Sequence, residues 1–381
     1  MKRFNRIQKT TIKTSLNAHI LTINCGSSSI KYKLYLFPHG KLLAGGVIEK
    51  IGEKDSGVST HTEGMKVVFS QLIDNKVIEH LSEIKAIGHR VVHGGETFHE
   101  PHVIDKKVIR KIKECIKIAP LHNPANLEGI KATLNTLPNV LQVAVFDTAF
   151  HQTIPDYAHR YALPLKYYKK YKIRKYGFHG TSHQYVAKQA ARILKKPLSK
   201  VKLITCHLGN GCSITAIDKG KSIDTSMGFT PLEGLMMGTR CGDIDVAAVL
   251  YLMEKEKLSL KKVDELLNKK SGLLGVSQIS NDIREIKKAA ERGNKLAQLA
   301  LEMFMYRIKK YIGAYYMVLG GADAVCFTAG IGENNPDLIN SLKRSIQKVV
   351  SSKTKVIVIP TDEGFMIASL TFDILKKRVK G

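Results

Sequence analysis

Residues 21–35, LTINCGSSSIKYKLY, decide how the fold of this chain is predicted. Apolar and polar residues alternate on both sides of a short turn, and this pattern predicts two half-buried strands joined as a hairpin. The turn, residues 24–31, collects one amide, three hydroxyls and a cation. A hairpin alone does not require that set, whereas such groups can hold phosphate oxygens and a metal ion.

A second stretch, residues 203–217, LITCHLGNGCSITAI, has the same organisation: an apolar run, a glycine-rich turn and another apolar run. Two copies in the two halves of the chain predict duplicated domains that face each other across a cleft, with the turns as opposing phosphate clamps. An ordinary hairpin with a polar turn would give a similar match, so that alternative stays open here.

Strand-like runs and helical patterns alternate along the chain, which predicts an α/β architecture. Helices are predicted from an N-cap at Ser182 and from Asp243. A long amphipathic helix is predicted over residues 295–319, because Gly320 and Gly321 end the pattern. The strand-like runs cover residues 21–24, 140–147, 201–211, 324–332 and 355–363.

The composition is that of a globular protein with room for two domains, since the chain has 381 residues and 44% of them are hydrophobic. The longest apolar run, residues 318–332, is glycine-rich and contains Asp323. It is too short to cross a membrane, so we expect a soluble protein with no membrane partner. Six cysteines lack CxxC spacing, and we therefore expect free thiols in a reducing, cytoplasmic compartment.

The formal net charge of +27 requires an interpretation. The lysines are spread along the chain and no recognised nucleic-acid module is present, so we predict no specific nucleic-acid partner. A lysine-rich solvated surface and the steering of anionic substrates are the alternatives. The first acidic residue is Glu49. Residues 1–20 are predicted to form a disordered basic extension, with a transit peptide as the alternative.

Glycine-rich turns follow two predicted strands, at residues 207–213, HLGNGCS, and 328–335, TAGIGENN. Glycine lets backbone amides approach a phosphate or a nucleotide closely. Neither turn is a Walker A loop or a dinucleotide fingerprint, and each alone is equally typical of an ordinary turn. Together with residues 24–31 they favour nucleotide binding.

Basic side chains near these turns have the character of a phosphoryl-transfer site. Arg90, His179 and Arg240 lie in segments rich in glycine. Transfer of a phosphoryl group depends on positive charge that stabilises its equatorial oxygens, and the arginine fork suits that task. The alternatives are exposed or structural arginines and a hydrogen-bonded structural histidine.

Carboxylates complete the set. Asp147 and Glu363 follow strand-like runs, where open α/β sheets bind their ligands. With the amide oxygen of Asn24 they can hold Mg²⁺, which takes few protein ligands. For Glu363 the alternative is an acid that stabilises the N-terminus of a helix.

The motifs around these residues resemble, in the same order, those of the acetate/propionate/butyrate kinase family. They are NCGSSSIKYKLY, GHRVVHGGETF, APLHNPANLEGI, VAVFDTAFHQT, YGFHGTSH, HLGNGCSITAI, DTSMGFTPLEGLMMGTRCGDID, KKSGLLGVSQISNDIREI, FTAGIGENNP and VIPTDEGFMIA. The resemblance implies an α/β fold of two duplicated actin-like (ribonuclease H-like) domains facing each other across an active-site cleft. It also implies a homodimer and an exchange between ATP plus acetate and ADP plus acetyl phosphate that depends on Mg²⁺ or, alternatively, Mn²⁺.

On this basis we divide the chain into three parts. The first is the extension of residues 1–20. The second is an N-terminal domain of residues 21–146 plus 364–381. The third is a C-terminal domain of residues 147–363, which carries most of the nucleotide site.

Matched position by position, the resemblance also implies how the metal and the nucleotide are bound. Asn24 and Glu363 match the magnesium ligands, and Lys31 matches a lysine that binds ATP. The other nucleotide-contacting positions are His207, Leu208, Gly209, Asn210, Gly211, Asp282, Ile283, Arg284, Gly330, Ile331, Gly332, Glu333 and Asn334.

The remaining matched positions concern the substrate and the reaction. Arg90 matches the arginine that binds the substrate, and Asp147 matches the catalytic acid. His179 and Arg240 match the pair that stabilises the transition state. Acetate is already ionised at neutral pH, because a carboxyl group titrates near ~4, so we predict that Asp147 positions Arg90 or a metal-bound water instead of acting as a base. The pocket for the acetate methyl group consists of Val92, Leu121, Phe178 and Pro231.

Several positions depart from the family's pattern. Cys25, Cys212 and Cys241 stand where Ala or Ser is usual, which predicts a site sensitive to thiol oxidation. Gln278 replaces a usual Gly, and Gly364 replaces a usual Glu.

Three other functions remain open. A kinase that prefers propionate or butyrate would differ only in its apolar pocket, where one methylene group is worth about 1 to 3 kcal/mol of discrimination. A sugar or glycerol kinase would require a polar pocket. A non-metabolic, actin-like ATP switch would keep the glycine-rich turns but has no need of Arg90, His179 and Arg240.

Overall fold

Two β-sheets form the framework of the protein in the computed structural model, which describes residues 16–53, 57–120 and 122–380. The first sheet has the order β3-β2-β1-β4-β6-β5 and the second the order β11-β10-β7-β8-β9. The strands of the first sheet are β1 (Ala18–Cys25), β2 (Ile30–Phe37), β3 (Lys41–Ile48), β4 (Ile84–Val91), β5 (His102–Val103) and β6 (Leu141–Phe146). Those of the second are β7 (Lys202–Leu208), β8 (Cys212–Asp218), β9 (Lys221–Thr225), β10 (Ala324–Thr328) and β11 (Lys355–Val358).

Five strands of the first sheet have the same topology as the second sheet, and β5 is an additional antiparallel edge strand. In the first sheet β1, β2 and β3 form an antiparallel meander, and β4 and β6 continue from β1 in parallel. In the second sheet β7, β8 and β9 form the meander, and β10 and β11 form the parallel extension. The predicted repeat is confirmed, because its two copies are the β1–β2 and β7–β8 hairpins at equivalent positions of the two sheets.

Helices pack on these sheets and connect their strands. In the described part of the chain the α-helices are α1 (His61–Asp74), α2 (Lys106–Glu114), α3 (Asn123–Thr136), α4 (Asp156–His159), α5 (Leu165–Tyr171), α6 (Gly180–Ile193), α7 (Val246–Lys255), α8 (Leu260–Lys269), α9 (Gly272–Ser277), α10 (Ile283–Glu291), α11 (Lys295–Leu319), α12 (Ala329–Asn334), α13 (Pro336–Gln347) and α14 (Glu363–Lys380). None of these helices combines the length and apolarity needed to cross a bilayer.

Each sheet has its own hydrophobic core. The side chains of β1 and β2 pack against α1 and α3 in the first half of the chain. In the second half, β7, β8 and β10 pack against the long helix α11. The buried residues of α11 recur every three or four positions, as expected for one apolar helix face: Ala297, Ala300, Phe304, Ile308, Ile312, Tyr315 and Leu319.

The last helix, α14, returns the chain to the first sheet. It packs against β1, β2, β4 and β6, and also against α6. Its approach to β4 is close, because a Cβ atom at Gly88 would overlap Ile367 and Thr371. This packing agrees with the predicted assignment of residues 364–381 to the N-terminal domain. The domain boundaries themselves stay a prediction. β1 begins at Ala18, whereas residues 1–15 of the predicted extension lie outside the described residues.

Two predicted helix starts are wrong. The first turn of α6 begins directly after His179 and before Ser182, because His179 adopts a left-handed backbone conformation (φ 57°) that ends the preceding loop. The following Gly180 must be a glycine, since a Cβ atom there would overlap the carbonyl oxygen of Asp147. The second helix, α7, begins after Asp245, whose side chain caps it, and not at Asp243.

Of the remaining local predictions, some are confirmed and one is wrong. Every predicted strand-like run contains a strand, and α11 ends at Gly320 (φ 62°) as predicted. The predicted turn at residues 328–335 is wrong, because most of it is the short helix α12. Gln278, the departure from a usual Gly, caps α9 with φ 57°, a conformation that favours glycine.

Candidate active site

A cleft of about 680 Å³ lies between the β1–β2 hairpin and the turn of the β7–β8 hairpin. The strands of the first hairpin line one side through Asn24 and Lys31, and Asn210 and Gly211 of the second turn line the other. The serines of residues 27–29, which were predicted to hold phosphate oxygens, do not line this cleft. The cleft brings together many of the residues that the sequence singled out: Asn24, Lys31, Arg90, His179, His207, Asn210, Gly211 and Glu363. These positions are far apart in the chain, so the fold assembles them.

A buried ion pair forms the floor of the cleft. Nη2 of Arg90, on β4, lies 2.6 Å from Oδ2 of Asp147, which directly follows β6. Nε of Arg90 lies 3.1 Å and 3.0 Å from the two carboxylate oxygens. Burial raises the pKa of Asp147 against the opposing effect of Arg90, and Asp147 and Glu363 raise the pKa of Arg90 despite its burial. The two-point contact orients the guanidinium plane.

The predicted metal ligands lie beside this pair. Oδ1 of Asn24 lies 3.4 Å from Nη1 of Arg90, and Oε2 of Glu363 lies 3.9 Å from Nε of the same guanidinium. Glu363 is also the first residue of α14, as its alternative interpretation required. One amide oxygen and one carboxylate oxygen at the same edge of the cleft fit an ion that takes hard oxygen ligands and keeps several waters.

His179 stands between the ion pair and the turn of the β7–β8 hairpin. Its Nδ1 lies 2.9 Å from Oγ of Ser213, and its ring stacks on His207 with centroids 4.1 Å apart. Burial, followed by the neighbouring histidines and arginines, lowers the pKa of His179 well below its usual value. The imidazole is therefore neutral, and it can offer a ligand a hydrogen bond but not a full charge.

Arg240 reaches the same turn from the opposite direction. Its Nη1 donates a hydrogen bond to the carbonyl oxygen of Pro231 at 3.2 Å. Burial lowers its pKa, yet a guanidinium stays charged at neutral pH. A Cβ atom at Gly211 would lie 3.4 Å both from Nη1 of Arg240 and from Nε2 of His179. Both side chains therefore flank the glycine-rich turn where an anion would lie.

The predicted pocket for the methyl group stays a prediction, because none of its described residues lines the cleft. Val92 and Phe178 are buried in the same hydrophobic cluster, and Pro231 is half-buried beside Arg240. Leu121 lies outside the described residues.

A second cavity of about 440 Å³ adjoins the cleft. Asn210 lines both spaces, so a long ligand can extend from one to the other. The cavity is lined by members of all three predicted nucleotide-contacting segments: Gly209, Asn210, Asp282, Ile283, Arg284, Gly330, Ile331 and Asn334.

Three predicted nucleotide residues line neither space. Leu208 is fully buried, and Gly332 packs against it and against Phe327. The carboxylate of Glu333 accepts hydrogen bonds from the backbone amides of Ala329 (2.7 Å) and Thr361 (2.9 Å). The side chain of Glu333 thus holds α12 against the segment that leads into α14.

Sequence reasoning missed several groups at the site. Lys33 forms an ion pair with Asp362 (2.9 Å), and both line the cleft. His122 lies close enough to Arg240 and Arg90 for their charges to add to the burial that lowers its pKa. Lys33 shares the cleft-facing side of β2 with Lys31, which is the signal that strand alternation offered.

The predicted sensitivity to thiol oxidation has little support in the structure. Cys25 and Cys212 are buried, and burial raises the pKa of each thiol to about 12. Oxidation proceeds through the exposed thiolate, so these side chains are poor targets. Cys241 is half-buried, and burial raises its pKa as well.

Known proteins share this sequence and this architecture. Residues 19–350 match the family model of the acetokinase family. The acetate kinase of Thermoanaerobacter pseudethanolicus is 50% identical over 94% of this chain and 99% of its own. The crystal structure of Porphyromonas gingivalis acetate kinase superposes with a TM-score of 0.88 at 46% identity, over 94% of this chain and 100% of that one.

A propionate kinase from Francisella tularensis is also similar, with a TM-score of 0.86 and 42% identity over 93% of this chain and 99% of its own. These superpositions and the topology that the two sheets share confirm the predicted fold class, an α/β protein of two duplicated actin-like domains.

The Arg90–Asp147 pair yields a prediction on stability. In Asp147→Asn the guanidinium of Arg90 loses its direct contact with the carboxylate of Asp147. The carboxylate of Glu363, at 3.9 Å, then remains beside it. We expect the free energy of unfolding to fall by about 3 to 5 kcal/mol, because a buried charge loses its partner. Urea unfolding followed by circular dichroism measures the loss.

Asp362→Asn is the matched control, because its ion pair with Lys33 joins side chains that are 31% and 41% exposed. Breaking that pair costs about 1 kcal/mol or less. If the free energy of unfolding fell equally in the two variants, the larger contribution to stability expected of the Arg90–Asp147 pair would be contradicted.

Proposed function

Because the chain belongs to the acetokinase family, we propose that it is an acetate kinase, which transfers a phosphoryl group between ATP and acetate. The observation that carries the proposal is the convergence of Arg90, His179 and Arg240 around the glycine-rich turn. Positive charge and hydrogen-bond donors around an anion match the phosphoryl end of acetyl phosphate, and the buried apolar side chains of Val92 and Phe178 are the proposed surroundings of its methyl group.

The chemistry requires no base. An oxygen of acetate, already ionised, attacks the γ-phosphorus of ATP in line. The new P–O bond forms on acetate as the bond to the bridging oxygen breaks, and ADP leaves with that electron pair. Arg90 and Arg240 stabilise the charge on the equatorial oxygens, and His179 donates a hydrogen bond to it.

Asp147 acts as a positioning residue for Arg90. Both of its carboxylate oxygens contact the guanidinium, so neither is free to accept a proton from a substrate. The contact holds the guanidinium in one plane and directs Nη1 towards Asn24. In Asp147→Asn we therefore expect a raised KM for acetate with an unchanged acidic limb of the pH profile.

Asn24 and Glu363 would hold Mg²⁺, with Mn²⁺ as the alternative ion. The support is that both oxygens approach one guanidinium at the edge of the cleft. When bound, the ion would neutralise charge on the terminal phosphates of the nucleotide. ATP and ADP would extend from the second cavity, past Asn210, towards Lys31 and Gly211 in the cleft.

Preference for propionate is the second candidate, and the similarity to a propionate kinase favours it. Val92 and Phe178, the proposed surroundings of the acid's alkyl group, are apolar and buried, which favours a short-chain acid over glycerol or a sugar. An actin-like ATP switch would have no use for the arginines and histidine around the turn.

We further propose a homodimer formed through α7 and the adjacent face of α11. Val246, Leu250 and Tyr251 of α7 are 70%, 61% and 61% exposed, although the helix is largely apolar. Arg307 of α11 contacts Asp243 just before α7, which places the beginning of α7 near α11. An apolar face of this kind marks a protein interface. A cytoplasmic location is supported by the six free cysteines.

The acceptor profile tests the proposed function. Purified protein with Mg-ATP is offered formate, acetate, propionate and butyrate, and acyl phosphate is trapped with hydroxylamine. We expect the largest yield with acetate and a smaller one with propionate. Glycerol is the control, followed through ADP release. ATP binding without acyl phosphate from any acid would reject the proposal.

Arg240→Ala tests the role of this arginine. We expect kcat to fall by about 10³- to 10⁵-fold, because arginine contacts in phosphoryl transfer contribute that much. The Kd of ATP, measured by calorimetry, stays within about threefold, since the proposed contact is to the transferred group. Arg160→Ala is the matched control, because Arg160 pairs with Asp156 on the surface. Near-normal turnover of Arg240→Ala would refute the assignment.

Leu250→Glu tests the proposed dimer. A buried charge in an apolar interface is strongly disfavoured, so we expect the mass measured by light scattering to halve. Lys262→Glu, a charge change on the exposed face of the neighbouring helix α8, is the control. A wild-type protein that runs as a monomer would exclude the interface.

A further inference from the structure

A chain of buried side chains leads from His179 into the core of the second sheet. Nδ1 of His179 lies 2.9 Å from Oγ of Ser213. The same Oγ lies 2.7 Å from Nε2 of His183, and Nδ1 of His183 lies 2.7 Å from Oγ1 of Thr205. Ser213, His183 and Thr205 have no exposed surface. The proposed mechanism uses only the first member of this chain.

Each of these four hydrogen-bonded side chains has only one hydrogen to donate. Burial lowers the pKa of both His179 and His183 well below the usual value, so each ring is neutral and carries one N–H. The hydroxyl of Ser213 lies between two ring nitrogens and has one hydrogen, so it donates to one ring and accepts from the other. The tautomers of the two histidines are therefore coupled, and only two arrangements satisfy every contact.

Thr205 selects between the two arrangements. Among the described residues its hydroxyl has one hydrogen-bond partner, Nδ1 of His183. If that nitrogen carried the proton, the hydroxyl hydrogen of Thr205 would be buried without an acceptor, which is strongly disfavoured. The hydroxyl of Thr205 therefore donates to Nδ1 of His183, whose Nε2–H donates to Ser213, whose hydroxyl in turn donates to Nδ1 of His179.

We propose that Thr205 and His183 are positioning residues that fix the tautomer of His179, so that its Nε2 carries the proton and faces the phosphoryl group. Nε2 of His179 lies at the glycine-rich turn, because a Cβ atom at Gly211 would stand 3.4 Å from it. A ring with the opposite tautomer would direct a lone pair at the oxygens that it must stabilise. The role of the donor rests on the proposed phosphoryl transfer, whereas the tautomer itself does not.

The neighbouring histidines leave this chain undisturbed. His207 stacks on the face of His179, and its Nδ1 is engaged by Oγ of Ser182 at 2.8 Å. The ring of His151 lies near His183, with centroids 5.7 Å apart. Its two nitrogens contact Ser222 and the carbonyl oxygen of Phe178, so they do not compete for Ser213.

Thr205→Val tests the proposal. Valine has nearly the shape of threonine but no hydroxyl, so the bias on His183 is lost and both tautomers become populated. In ¹⁵N-histidine-labelled protein, two-bond ¹H–¹⁵N spectra report the tautomer of each ring, and the signals are assigned with His179→Asn and His183→Asn. We expect Nε2–H on His179 in the wild type and a mixture in Thr205→Val.

Turnover should follow the tautomer. We expect kcat of Thr205→Val to fall about two- to tenfold, with KM for acetate and ATP unchanged, because only a part of the molecules presents a donor in the transition state. Thr205→Ser keeps the hydroxyl and restores both the spectrum and kcat. A merely structural role of Thr205 would not move the tautomer.

Thr215→Val is the matched control. Thr215 faces Thr205 across the β7–β8 pair and is equally buried, but its hydroxyl contacts Oγ1 of Thr225 at 2.9 Å instead of a histidine. It loses a buried hydroxyl yet should keep the tautomer and kcat. The proposal is overturned if wild-type His179 carries its proton on Nδ1, or if Thr205→Val keeps a pure Nε2–H signal. Because the spectra need no turnover, they test the tautomer even if the acceptor assay finds no acyl phosphate.

Discussion

The contact between Arg90 and Asp147 holds together the ends of two neighbouring strands of the first sheet, where the sheet borders the cleft. Arg90 belongs to β4, and Asp147 directly follows β6 beside it. The carbonyl oxygen of Asp147 then accepts the amide of Gly180 at 3.0 Å, which fixes the start of α6 and with it His179. The side chain of Asp147 therefore orients Arg90 and its carbonyl oxygen positions His179, although these two residues come from different parts of the chain. A charge this deep is tolerated because its partner contacts it at two points.

The duplicated topology places the candidate ligand-binding groups on both sides of one cleft. The strands of the first hairpin contribute Asn24 and Lys31, and the turn of the equivalent hairpin in the second sheet contributes Asn210 and Gly211. The formal net charge of +27 adds a long-range attraction for anions.

Local patterns in the sequence predicted the repeated hairpins, the glycine-rich turn at residues 207–213 and the helix ended by Gly320, because strand alternation, turn residues and helix caps act over a few positions. The start of α6 was wrong because His179 adopts a left-handed conformation that tertiary contacts hold and no local signal announces. Pairs such as Lys33 and Asp362 are separated by most of the chain, and only the fold brings them together. The roles of Arg90, Asp147 and Glu363 came from family resemblance as much as from chemistry, and the structure adds the geometry that relates them.

The return of α14 to the first sheet has a consequence for synthesis. The strands β1, β2, β4 and β6 leave the ribosome early, but the helix that covers one of their faces is made from the last residues of the chain. Until then, part of the apolar face of this sheet has no partner within the chain, and contacts that span nearly the whole sequence form slowly. The second sheet, whose elements are contiguous in sequence, can complete its core first. The cleft is therefore complete only when the last helix has been made, because Glu363, Gly364 and Ile367 of α14 line it.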